Sequence, residues 1–301
     1  MNEKEKTARL SIYSNALLIV IKLGAAIVGG SVGIISEAIH SMVDMIASFV
    51  AFFSVRISSK PPDEDHPYGH GKYENISGVI EAMLIFAAAI WIIYEAIDRF
   101  FHPRETHYAL LGFIVMLISV IVNIYVSRRL YDVAQKYDSV ALEADALHLK
   151  TDIYTSAGIA LGFILLHFTH YLWIDPLIAL AVAMLIIYEA AILIKHAFSP
   201  LVDSRLPLEE KEEIIRLLDS EIDKLPGISY QQLRTRKSGS HKYIDFILIV
   251  PGEISVSMAH LICDKIENLI HKQLTGVDIN IHIEPQKTNE IIPPSWTTND
   301  T

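Results

Sequence analysis

Two stretches of this chain read alike: Glu37-Ala38-Ile39-His40-Ser41-Met42-Val43-Asp44 and Asp145-Ala146-Leu147-His148-Leu149-Lys150-Thr151-Asp152. Both have the form acid-Ala-aliphatic-His-x-x-x-Asp, and both reach a serine four residues on, Ser48 and Ser156. A spacing of four puts each histidine and aspartate on one helix face, one turn apart. Both pairs lie inside long apolar segments. A charged residue at bilayer depth costs roughly 2.5–3.5 kcal/mol on insertion scales, so each one there calls for a reason. The second stretch follows the first by 108 residues. That separation is three helices of spanning length. An odd number inverts the second half against the first, an arrangement that places a transporter's site near the bilayer midplane.

The rest of the chain fits that frame. Of 301 residues, 51% are hydrophobic, and the mean hydropathy is +0.35. Six segments approach the ~20 residues a helix needs to cross a bilayer: Ser11–Val32, Ile34–Ile57, Ile76–Phe100, Tyr108–Val126, Ala141–Phe168 and Leu172–Phe198. From Asp203 onward charges, turns and short alternating strands take over. There the pattern predicts helix 207–224, strands 228–237 and 241–250, helix 255–272 and strand 277–284. The expected fold is a six-transmembrane-helix bundle followed by an αββαβ ferredoxin-like, or metallochaperone-like, domain. The domains expected are 1–202 for transport, 203–287 for cytoplasmic regulation and dimerisation, and a disordered tail, 288–301. In the last strand Ile279, Ile281 and Ile283 share the core face, opposite Asp278, Asn280, His282 and Glu284.

Charge fixes the orientation. With six crossings both termini share a side, and that side holds ten basic residues, from Lys4 to Lys195, against Arg99 and Arg104 on the other. Basic residues favour the cytoplasmic face, so both termini and the C-terminal domain are expected in the cytoplasm of a multi-pass plasma-membrane protein. No removable signal is read in Met1–Leu10. The net charge of −10 divides evenly: residues 1–202 carry 14 basic and 19 acidic side chains, the remainder 11 and 16. Neither half has a nucleic-acid binder's basic excess. One cysteine, Cys263, excludes an intrachain disulfide and a multi-cysteine zinc site.

If the second and fifth helices face each other, His40, Asp44, His148 and Asp152 offer two imidazole nitrogens and two carboxylate oxygens, which suits tetrahedral Zn2+. Lys150 points to the other side of its helix, about 200° from His148. Metal binding needs neutral imidazole and ionised carboxylate, so binding expels protons and protonation expels metal. Walker A and HExxH sequences are both missing. A closed four-ligand site leaves no position for catalytic water, so no enzyme is expected.

With these stretches go Gly30-Ser31-Val32, the loop Pro62-Asp63-Glu64-Asp65-His66-Pro67-Tyr68-Gly69-His70-Gly71-Lys72, and Leu233-Arg234-Thr235-Arg236 with Ser238-Gly239. In this order, over residues 8–287, the chain resembles the cation diffusion facilitator family, in particular bacterial zinc and ferrous-iron efflux proton antiporters. The resemblance implies a homodimer with alternating access, carrying the ion at His40, Asp44, His148 and Asp152. The two-His, two-Asp form looks like the zinc-preferring type, with Cd2+, Co2+ and Fe2+ as further candidates. It also implies a second metal site at Asp63, His66 and His70, and a charge pair between Lys72 and Asp203. In the tail domain His260, His282 and Glu284 match ligands of a regulatory zinc site. Gln231 and Ile247 stand where better-known members have histidine, so that site is incomplete. The expected function is export of Zn2+ or a similar divalent cation in exchange for protons, with zinc as substrate and as regulator. The alternative is a metal-sensing or scaffold member of the same fold with little transport.

Overall fold

The computed structural model describes residues 2–29, 32–102, 110–169 and 173–286. Side chains within 159–169 and 32–40, His40 among them, lie outside the described set, as do Gly30, Ser31 and the tail expected to be disordered. The chain divides into two compact units, Met1–Asp203 with Ser238–Ser240, and Ser204–Lys237 with His241–Thr301.

The first unit is helical: α1 (Glu3–Gly29), α2 (Val32–Ser58), α3 (Lys72–Phe101), α4 (Leu110–Tyr137), α5 (Val140–Thr169) and α6 (Ile174–Phe198). Among the described residues four apolar windows are long enough to cross a bilayer: Glu3–Ala25, Lys72–Asp98, Ile114–Tyr137 and Pro176–Val202. Trp91, Tyr94, Ile121 and Tyr188 point out of the bundle, as lipid-facing side chains do.

Two interior clusters meet on α5. One joins Ala8 of α1, Phe52 and Val55 of α2, and Val126, Leu130 and Val133 of α4 to Ala141, Leu142 and Leu149 of α5. The other joins Ala82, Ile85 and Ala89 of α3 and Ile186, Ala190 and Leu193 of α6 to Ala144 and Leu147 of α5. Small residues let the helices approach closely. At Gly78 of α3 a Cβ would sit 2.7 Å from Val140 Cγ1 and 3.1 Å from Ala197 Cβ.

Two boundaries differ by two helical turns or more from those expected. Helix α1 starts at Glu3 rather than Ser11, because Lys4 and Thr7 are buried and Ala8 packs in the core. Helix α4 runs on to Tyr137 rather than ending near Val126, because Leu130, Val133 and Ala134 are buried against α5. Polar residues that face a bundle interior lower hydropathy without ending a helix.

The second unit holds α7 (Leu208–Ile222), β1 (Ser229–Ser238), β2 (His241–Val250), α8 (Val256–Gln273) and β3 (Val277–Pro285), the αββαβ order expected. The sheet order is β1-β2-β3, and α8 makes the crossover between the parallel β2 and β3. The register sets Ile244 beside Ile279, Phe246 beside Ile281 and Leu248 beside Ile283. The three isoleucines of β3 pack against a core of Ile214, Leu218, Ile266 and Ile270. Ser255 caps α8 by accepting from the Met258 N–H at 3.2 Å.

Candidate metal centre

Spacing on α5 brings His148 and Asp152 to one face, and α2 supplies Asp44 opposite. His148 Nε2 lies 3.1 Å from Asp44 Oδ1, with both side chains largely withdrawn from solvent. One ligand atom from each of Asp44, His148 and Asp152 falls within 4.8 Å of the others. The side chain of His40 lies outside the described set. On the other side of α5, Lys150 donates to Glu189 Oε1 at 3.3 Å and lies over the Tyr154 ring, as its helical phase predicts.

One turn from these ligands is a buried polar layer to which the sequence reading gave no role. Asp145, fully buried, accepts at Oδ1 from Ser11 Oγ at 3.1 Å and from Ser48 Oγ at 3.2 Å. Asn15 Nδ2 donates to Ser48 Oγ at 2.8 Å. The layer ties α1, α2 and α5 together beside the site. Its signal was present: Asp145 and Ser48 are the acid and the serine of the repeat. Lys22 donates to Ser41 Oγ at 2.8 Å, which gives a place to a lysine inside an apolar helix.

The loop between α2 and α3 forms a second group. Asp63 Oδ1 lies 3.1 Å from His66 Nδ1, Asp63 Oδ2 lies 3.3 Å from His70 Nε2, and the two rings stand 4.3 Å apart. The His66 backbone N–H, donating to Asp63 Oδ1 at 2.7 Å, is the main cause holding the Asp63 carboxyl below the usual carboxylate range. Buried His70 keeps Nδ1 without a hydrogen-bond partner. One carboxylate and two imidazoles fit a divalent metal with a water completing its shell. These two groups are the metal-capable clusters among the described residues. In the second unit His260 Nε2 is 3.7 Å from Asp264, and His282 Nε2 is 3.6 Å from Glu284. The single chain does not gather His260, His282 and Glu284 into one group. Lys72 Nζ donates to Asp203 Oδ1 at 3.0 Å.

Residues 8–202 match the cation efflux transmembrane domain, and residues 206–286 match the cation efflux protein cytoplasmic domain. The chain belongs to the cation diffusion facilitator family. An uncharacterised transporter of Synechocystis is 34% identical, over 97% of this chain and 93% of its own length. The cation-efflux pump FieF of Citrobacter koseri is 32% identical, over 90% of this chain and 89% of its own. Among solved structures, the metal-bound C-terminal domain of the CzcD transporter from Thermotoga maritima is 24% identical, with a TM-score of 0.25, covering 28% of this chain and 100% of that one. The family makes the chain a cation efflux transporter of the membrane, with a small αβ domain at its C-terminal end.

Proposed function

We propose that the chain exports Zn2+ from the cytoplasm in exchange for protons, binding it at His40, Asp44, His148 and Asp152. The observation that carries this reading is the convergence of Asp44, His148 and Asp152 from two helices of the membrane unit. Register supports His40 as the fourth ligand. From Asp44 to Ser48 is one turn forward on α2, and it is matched by one turn back on α5, from His148 to Asp145. The same antiparallel register, run the other way, is the reason this reading pairs position 40 with position 152. Two carboxylates neutralise a dication, and two imidazoles favour zinc over harder ions. The same groups bind either metal or protons, which is the chemistry of exchange.

The reading takes residues 1–202 as the transport domain, with six crossings, and 203–287 as a cytoplasmic domain that holds a homodimer. Both termini lie in the cytoplasm of a plasma-membrane protein. The Asp63–His66–His70 loop holds a second zinc. His260, His282 and Glu284 belong to a regulatory site that a second protomer would have to complete.

The test is zinc entry into liposomes with an acid interior, read by an enclosed dye. Entry that needs the pH gradient and is lost in Asp152→Ala, while the dimer stays intact, supports the reading. Asp152→Ala transporting at the wild-type rate sinks the site assignment. A correctly inserted wild-type protein that moves no metal favours the sensor or scaffold alternative.

A further inference from the structure

On the face of α5 turned away from His148 lies a crevice of about 650 Å3, walled by α4, α5 and α6. Its charged lining comes from the last turns of α4 and α6 and the first half of α5, all at one end of the bundle. Ile124 of α4 and Ile153 of α5 line it further from those ends. A polar mouth above apolar walls is the layout of a lipid headgroup over its acyl chains.

The charges in the crevice sort into two sets. Lys150 is matched by Glu189 at 3.3 Å, and His196 by Glu143 at 3.0 Å. Arg128 and Asp132, exposed one turn apart on α4, have no ion-pair partner among the described residues. The crevice therefore offers one uncompensated cation and one uncompensated anion side by side. A guanidinium recognises phosphate through paired N–H donors, and a carboxylate accepts from an ammonium.

We propose that this crevice binds the headgroup of phosphatidylethanolamine, its phosphate on Arg128 and its ammonium on Asp132. Ethanolamine sets the two charges two carbons apart and keeps N–H donors for the carboxylate; choline has no N–H to give. Anionic lipids are disfavoured because Asp132, Glu143 and Glu189 outnumber the permanent cations Arg128 and Lys150.

The test uses the full-length protein, solubilised from vesicles with equal parts phosphatidylethanolamine, phosphatidylcholine and phosphatidylglycerol. Retained lipid is counted by native mass spectrometry. Phosphatidylethanolamine should be retained above its share of the vesicle. Arg128→Gln and Asp132→Asn should each lower that retention about tenfold, the loss of one charge-assisted hydrogen bond. Arg129→Gln, which removes a partner of Glu3 outside the crevice, should leave it unchanged. Equal retention of all three lipids, no retention, or retention indifferent to both Arg128→Gln and Asp132→Asn would overturn the proposal. The readout is lipid count, so it is independent of whether zinc is the cargo.

Discussion

Replacing Lys4 with methionine should destabilise the membrane unit more than any exposed charge change. Lys4 Nζ lies 2.7 Å from Glu74 Oε1, and the two side chains are 9% and 1% exposed. Removing one partner of a buried ion pair costs about 3–5 kcal/mol, because the other charge is left without compensation. Here Glu74 keeps two hydroxyl donors, Ser58 at 2.6 Å and Ser139. Those donors place the cost near the lower end, about 3 kcal/mol, or a fall of roughly 6 °C or more in melting temperature for a unit of this size. The double variant Lys4→Met/Glu74→Gln removes both charges, keeps one acceptor oxygen for one serine, and offers the other serine's oxygen an amide N–H donor. It should recover most of the loss, since deleting a whole buried pair is often close to neutral. The assay is thermal unfolding of detergent-solubilised wild type, both single variants and the double variant. A Lys4→Met protein melting within a degree of wild type, or a double variant no more stable than Lys4→Met, would refute the reasoning.

Other outcomes follow from single contacts. Gly78→Ala should lower the melting temperature by several degrees, since the added methyl meets Val140 and Ala197 and overpacking costs about 1–3 kcal/mol. Zinc titration of the purified protein should lose one equivalent in His70→Ala and a different one in Asp152→Ala; an unchanged stoichiometry in His70→Ala would remove the loop from the metal sites. The Tyr230 phenol, raised to about 12 by burial and then by its hydrogen bond to Asp219, should ionise late. Its raised value adds stability that is complete below the free phenol's range and is lost as pH climbs towards 12. The ultraviolet difference between wild type and Tyr230→Phe should place that midpoint, and a midpoint near 10 would contradict it.

Much of this was legible in the sequence, for identifiable reasons. The order αββαβ could be read because alternation and helical periodicity differ, and each strand edge fell within a residue of its place. The HxxxD pairs could be read because a spacing of four survives in any helix. What stayed hidden depends on contacts between distant segments. Ser11 meets Asp145 across 134 residues, and Lys4 meets Glu74 across 70. No local pattern marks either pair. The early start of α1 was missed for the same cause: its first turns look soluble until their partners on other helices are known.

Polar residues buried in an apolar bundle can be sorted by what faces them. Lys4 meets Glu74, so that cation has a fixed anion. Asp145 meets hydroxyls that donate to it. Asp44 and Asp152 differ, because their shared neighbour in the cluster is an imidazole, whose charge is optional. Such a group can be balanced by a dication on neutral histidine or by protons on the same atoms. The two ways exclude each other, because each uses the same lone pairs. A lysine at position 148 would balance the carboxylates permanently and close the site to metal. Histidine leaves the balance to be supplied from outside, first by one ion and then by the other, and on that the proposed exchange rests.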